Sequence, residues 1–104
     1  MIIEQRTYVF HPGGVPKFIA FYDQSVRDLQ ASILGNLIGY FTTEIGMLNQ
    51  TVHMWGYDSF EERQRRRAEL MKQPLFQAFV ANIQPLLVSQ ESKILNPLPF
   101  SPIR

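Results

Sequence analysis

The chain has 104 residues, no cysteine, and ten basic side chains against nine acidic ones, a formal net charge of +1. That length fits one domain, and the lack of cysteine excludes disulfides, thiolate metal sites and cysteine nucleophiles. A near-neutral balance argues against a dedicated nucleic-acid binder, which carries a marked basic excess, while 45% apolar residues suffice for a packed core.

Residues 2–10 alternate in a β-branched and aromatic run and predict the first strand. Ile3, Gln5, Thr7 and Val9 share one face; Glu4, Arg6, Tyr8 and Phe10 share the other. His11-Pro12-Gly13-Gly14 is turn chemistry, and Pro16 suits a helical first turn. Val15, Phe18, Ile19, Tyr22, Val26, Leu29 and Ile33 follow at spacings of three and four, which predicts one amphipathic helix ended by Gly35-Asn36.

Leu37 to Glu44 and Gln50 to Tyr57 read as the second and third strands, joined by a hairpin through Ile45-Gly46-Met47-Leu48-Asn49. A loop centred on Met47 sets Phe41 opposite His53 and Gly39 opposite Trp55, where a glycine leaves room for the indole. Asp58 with Glu61 three residues on reads as a capping box. The helix it opens runs to about Lys72, breaks at Gln73-Pro74 and restarts over Leu75 to Ile83, with Pro85 closing it. Leu86 to Asn96 reads as a fourth strand.

The order β-α-β-β-α-β is the ferredoxin-like plan, an α+β fold with one antiparallel four-stranded sheet and helices on one face. Right-handed crossovers give the strand order 4-1-3-2. The domain spans residues 1–96, and the proline-rich residues 97–104 form an extended tail. The face away from the helices is expected to carry the Trp, Tyr and Phe residues of the first and third strands. It then needs a cover, and a second copy of the chain supplies one. Charges at Glu4 and Arg6 interrupt any secretory apolar run. The longest apolar stretch, Leu34 to Ile45, holds Gly35, Asn36, Gly39 and Glu44 and is too short to cross a membrane. A cytoplasmic location is the expectation.

Chemistry-bearing residues are few. His53, beside Trp55 and Phe41 in the expected register, is the candidate general base, or else a hydrogen-bonded structural histidine. Arg6, on the face of Glu4 and Tyr8, can grip a substrate carboxylate or close an ion pair, with Glu44 a candidate counterion. Trp55 can stack on a planar ligand or fill the core. Arg63, Arg65, Arg66 and Arg67 alternate with Glu61, Glu62 and Glu69 and read as a solvated helical face, with Arg63 or Arg67 the one to turn toward the sheet. There is no metal-ligand spacing, no P-loop and no dinucleotide fingerprint, so no cofactor is expected.

The block Leu37-Ile38-Gly39-Tyr40-Phe41-Thr42-Thr43-Glu44-Ile45-Gly46, followed by Leu48-Asn49-Gln50-Thr51-Val52-His53-Met54-Trp55, resembles the NIPSNAP family. So do Glu4-x-Arg6-Thr7-Tyr8, Tyr57-Asp58-Ser59 with the arginines after it, Gln90-Glu91 and Pro99-Phe100-Ser101-Pro102. The resemblance implies a dimeric α/β-barrel fold. Animal members are linked to mitochondria, vesicle transport and mitophagy signalling, and carry a leader and more than one such domain. A single domain with no leader points to a stand-alone member. Two functions are then expected to compete. In the first, a homodimer binds a small organic molecule or a protein partner in or around an inter-sheet barrel. In the second, a cofactor-independent monooxygenase- or isomerase-like enzyme uses His53 as base and Arg6 to orient substrate, with Glu4, Tyr8, Phe41 and Trp55 lining the site.

Overall fold

A computed structural model describes residues 1–104. Strand β1 (Ile2–Phe10) leads into helix α1 (Gly14–Phe21), a π-turn (Tyr22–Val26) and helix α2 (Arg27–Leu34). Strands β2 (Leu37–Thr42) and β3 (Gln50–Tyr57) form the hairpin. Helices α3 (Phe60–Met71) and α4 (Pro74–Ile83), then a short 3₁₀ turn, lead to strand β4 (Leu87–Leu95). All pairings are antiparallel and the sheet order is β2-β3-β1-β4. This is the expected α+β, ferredoxin-like architecture.

The expected single first helix contains a π-turn. The wider turn at Tyr22–Val26 re-phases the helix. It leaves Val26 fully buried and brings the Tyr22 hydroxyl to Gln30 Oε1 at 2.5 Å. Gly35 ends α2 at φ +92°, a conformation that favours glycine. Arg66 donates to the Ile33 carbonyl at 3.0 Å, satisfying one of the unpaired carbonyls at that end. The capping box of α3 lies one residue later than expected. Ser59 Oγ accepts from the Glu62 N–H at 3.1 Å, and Glu62 Oε2 accepts from the Asp58 N–H at 3.2 Å.

The hairpin register also differs. From Thr42 opposite Thr51 onward the pairing is one residue off the expected one, so Tyr40 faces His53 and Phe41 faces Val52, and a bulge between Leu37 and Gly39 shifts it once more at Leu37. Gly39 pairs with Met54 rather than Trp55. The space it leaves is used by Phe41, whose ring would sit 2.5 Å from a Cβ at that glycine.

The helices cover the face that bears Glu4, Arg6, Tyr8 and Phe10 of β1 with Thr51, His53, Trp55 and Tyr57 of β3; of these all but Arg6 are buried. The expectation that this aromatic face lies open is therefore wrong. The aromatic residues offer the most apolar area, and the helices bury them against Phe18, Leu70, Phe76, Phe79 and Ile83. The open face carries Ile3, Gln5, Thr7 and Val9 with Val52, Met54 and Phe41. The tail after Asn96 contains one turn at Pro99–Phe100, closed by a bond from the Ser101 N–H to the Leu98 carbonyl. No helix is long and apolar enough to cross a membrane.

Candidate functional site

The inward stripe of α3 explains how the site is charged. Phe60, Arg63, Arg67 and Leu70 recur at spacings of three and four, so they share one helical face. Leu70 is fully buried, and the two arginines between the apolar ends are carried over β1. There they meet Glu4, whose side chain has no solvent exposure. Glu4 Oε2 accepts from Arg63 Nη2 at 2.6 Å, from Arg6 Nη1 at 3.2 Å and from Ser92 Oγ at 2.5 Å. Arg67 Nη1 stands 4.0 Å from Glu4 Oε1 and donates no hydrogen bond within the chain. Burial alone would raise the Glu4 pKa. The bonds from Arg63 and Ser92 and the charges of Arg67 and Arg6 outweigh it and hold the carboxyl down at about 2. Three guanidiniums thus surround one carboxylate.

Above β1 and β3 this cluster borders a cavity of about 300 Å³, lined mostly by apolar side chains. Its aromatic wall is Tyr8, Phe18, Tyr22, Tyr40, Phe76 and Phe79. Its polar wall includes Arg6, Arg67 and His53. Arg6 Nε donates to the Tyr8 hydroxyl at 3.1 Å, which fixes both side chains. His53 lies between Tyr40, stacked on it with centroids 4.3 Å apart, and Tyr8, edge-on at 5.2 Å.

Trp55 determines the protonation of His53. Its indole N–H donates to His53 Nδ1 at 2.8 Å. An indole nitrogen can only donate, so Nδ1 must be the accepting nitrogen and the neutral ring carries its proton on Nε2. Nε2 is buried and has no partner in the chain. Burial, reinforced by the nearby Arg6 charge, lowers the His53 pKa to about 3. At neutral pH His53 is an uncharged hydrogen-bond donor. The general-base role expected from the sequence has no free lone pair to act through, because Trp55 occupies it.

The sequence-predicted site residues separate accordingly. Glu4, Arg6, Tyr8, His53 and Trp55 come together under the helices. Arg6, Tyr8 and His53 reach the cavity wall; Glu4 and Trp55 stand behind it as counterion and orienting group. Phe41 does not join them. The register shift puts it on the opposite face, half-exposed, lining a separate groove along the β2 edge. Glu44 is exposed in the hairpin loop, and Arg6 pairs with Glu4 instead. Both Arg63 and Arg67 turn inward where one was expected, while Arg65 stays in solvent. Tyr40 joins the site through its stack on His53, and Ser92 belongs to it although the sequence reading did not select that serine. No group of three or more His, Asp or Glu side chains is arranged to hold a metal.

The NIPSNAP family model matches residues 3–102. A NipSnap homolog of Dictyostelium discoideum is 34% identical over 95 residues, which is 91% of this chain and 42% of that protein. NipSnap homolog 2 of Mus musculus is 29% identical, covering 99% of this chain and 36% of that protein. The chain spans less than half the length of these relatives. Among solved structures, a NIPSNAP family protein of Agrobacterium tumefaciens superposes with a TM-score of 0.95 at 43% identity, covering 99% of this chain and 98% of that one. A NIPSNAP-like domain protein of Burkholderia xenovorans gives 0.93 at 49% identity, covering 97% of this chain and 88% of that one. An antibiotic biosynthesis monooxygenase superposes at 0.66 with 10% identity, covering 95% of this chain and 100% of that one, a likeness of fold alone.

Proposed function

This chain belongs to the NIPSNAP family, and we propose that it binds a small organic molecule in the cavity between its sheet and its helices, as a homodimer joined through the open sheet faces. The observation that carries the binding reading is the cavity of about 300 Å³, apolar for most of its wall, on which Arg6, Arg67 and His53 converge. Apolar walls with a few placed polar groups are the usual make-up of a small-molecule site.

The pairing of open faces is supported by Val52 and Met54, half-buried in mid-sheet with no helix above them, and by Phe41 exposed beside them. Strand β4 is exposed over nearly its whole length, as an edge awaiting a cover would be. The inter-sheet space is then an interface, and each protomer keeps its own pocket on the helix side. The competing enzyme reading needs a base other than His53, whose lone pair is taken by Trp55.

A cavity-filling variant tests the proposal. Val80 lines the pocket from α4, and Val80→Phe places a ring inside it. Calorimetric titration of a fragment set should show ligands for the natural chain and loss of their binding in Val80→Phe. Fragments that bind both proteins equally would move the site elsewhere.

A further inference from the structure

Resting on the small-molecule reading above, we propose that the ligand is an aromatic or other planar carboxylate whose oxyanion is held by Arg6 and Arg67. Three observations carry this. The first is charge. Arg6, Arg63 and Arg67 face a single carboxylate, Glu4, so the cluster retains an excess of two positive charges beside the cavity. Arginine does not shed its proton, so the excess cannot be relieved by titration. An anion in the cavity relieves it.

The second is the direction of the unused hydrogen bonds. Arg67 donates to nothing in the chain. Arg6 uses Nε on Tyr8 and Nη1 on Glu4, which leaves Nη2 available. The Tyr8 hydroxyl accepts from Arg6 and has its own proton to give. His53 is 1% exposed, with an Nε2–H that meets no acceptor. The amide acceptor in the wall, Gln30 Oε1, is taken by Tyr22. The unused groups of Arg6, Arg67 and His53 are all donors, so a ligand that engages them must bring acceptors. A guanidinium fork matches the two oxygens of a carboxylate.

The third is the rest of the wall. Rings of Phe18, Tyr22, Tyr40 and Phe79 surround the space, with Tyr22 and Tyr40 centroids 5.1 Å apart. A volume of 300 Å³ corresponds to about ten waters of liquid. That accommodates one or two fused rings with a carboxylate arm.

The test uses matched acid and amide pairs on the full chain at neutral pH: benzoate with benzamide, salicylate with salicylamide, and indole-3-acetate with indole-3-acetamide. Each pair holds shape constant and changes charge. Calorimetry should show at least one acid binding roughly tenfold or more tightly than its amide, the size of one charge-assisted hydrogen bond. Arg67→Met should remove that preference and leave the amide's affinity within about threefold. Because Arg67 makes no hydrogen bond in the chain, this variant is expected to fold, which circular dichroism checks. Arg65→Met, on the solvent side of the same helix, should keep the preference. Equal binding of acid and amide would overturn the carboxylate proposal and leave the pocket reading standing. So would an equal loss of preference in Arg65→Met and Arg67→Met, which would report net charge rather than a site. If none of the six binds while other neutral fragments occupy the cavity, the carboxylate proposal alone fails. If nothing binds that Val80→Phe excludes, both readings fail.

Discussion

Trp55 Nε1 donates to His53 Nδ1 at 2.8 Å, and this single bond decides what the histidine can do. The two residues are next neighbours on one face of β3, so the strand itself holds them in register. The indole fixes the tautomer by donating to Nδ1, which leaves the ring proton on Nε2. Trp55→Phe removes the donor and leaves a buried ring nitrogen unpaired, which costs about 1–3 kcal/mol before any packing loss. Nitrogen-15 NMR of the imidazole should report one Nε2–H tautomer in the natural chain and a mixture of both in the variant. A mixture already present in the natural chain would contradict the assignment.

Acid should destabilise the chain in two stages. His53 has its folded pKa lowered from 6.5 to about 3, so below 6.5 the unfolded state binds a proton that the folded state refuses. Stability then falls by about 1.4 kcal/mol for each pH unit between those limits. Glu4 is lowered from 4.5 to about 2. Its contribution is whole above 4.5 and is lost as pH falls toward 2, steepening the decline. Urea midpoints measured from pH 8 downward should begin to fall near 6.5. In His53→Gln the first stage should vanish and the decline should start near 4.5.

The arginines around Glu4 should differ sharply in cost. Glu4→Gln leaves three guanidiniums without their counterion and should destabilise by about 3–5 kcal/mol. Arg63→Met breaks the 2.6 Å pair and exposes the same carboxylate to burial without its main partner, with a cost of similar order. Arg67→Met loses no hydrogen bond and relieves like-charge repulsion from Arg6, so its effect should stay within about 1 kcal/mol. Chemical denaturation of the three variants checks the ranking. An Arg67→Met as damaging as Arg63→Met would show that Arg67 supports the fold.

The open sheet face makes a separate prediction. Met54→Glu puts a charge in the middle of that face without touching the helix side. If the faces pair, light scattering should show a dimer for the natural chain and a folded 12.1 kDa species for the variant. A natural chain that is already monomeric at micromolar concentration would end the pairing proposal.

Ser59→Ala tests the displaced capping box. The hydroxyl satisfies the Glu62 N–H, and its loss should cost about 1 kcal/mol. Asp58→Ala should cost less, since its side chain makes no capping bond and only its backbone N–H takes part, to Glu62.

Strand positions and helix limits were legible because each rests on local periodicity and turn chemistry. The alternation of residues 2–10 is β1, and Gly35 and Pro74 fall at the ends of their helices. The alternation also sorted Glu4, Arg6 and Tyr8 onto one face and His53 and Trp55 onto one face of β3. It contained no sign of which face the helices would choose, since that is settled by which aromatic area they bury. Nor could it foresee the hairpin register, which exchanged Phe41 for Tyr40 opposite His53. Arg63 and Arg67 had a readable signal, the stripe between Phe60 and Leu70, but the neighbouring glutamates favoured a solvated face.

The sequence by itself determined the ferredoxin-like plan, the family, and which residue types were available for chemistry. Tertiary structure decided their state. Glu4 is a counterion because α3 brings two arginines 59 and 63 positions along the chain to β1. His53 is a neutral donor because packing removes water and leaves Trp55 as its partner. Burial and hydrogen bonding set the charge of a side chain, and both are properties of the folded surroundings that no residue carries alone.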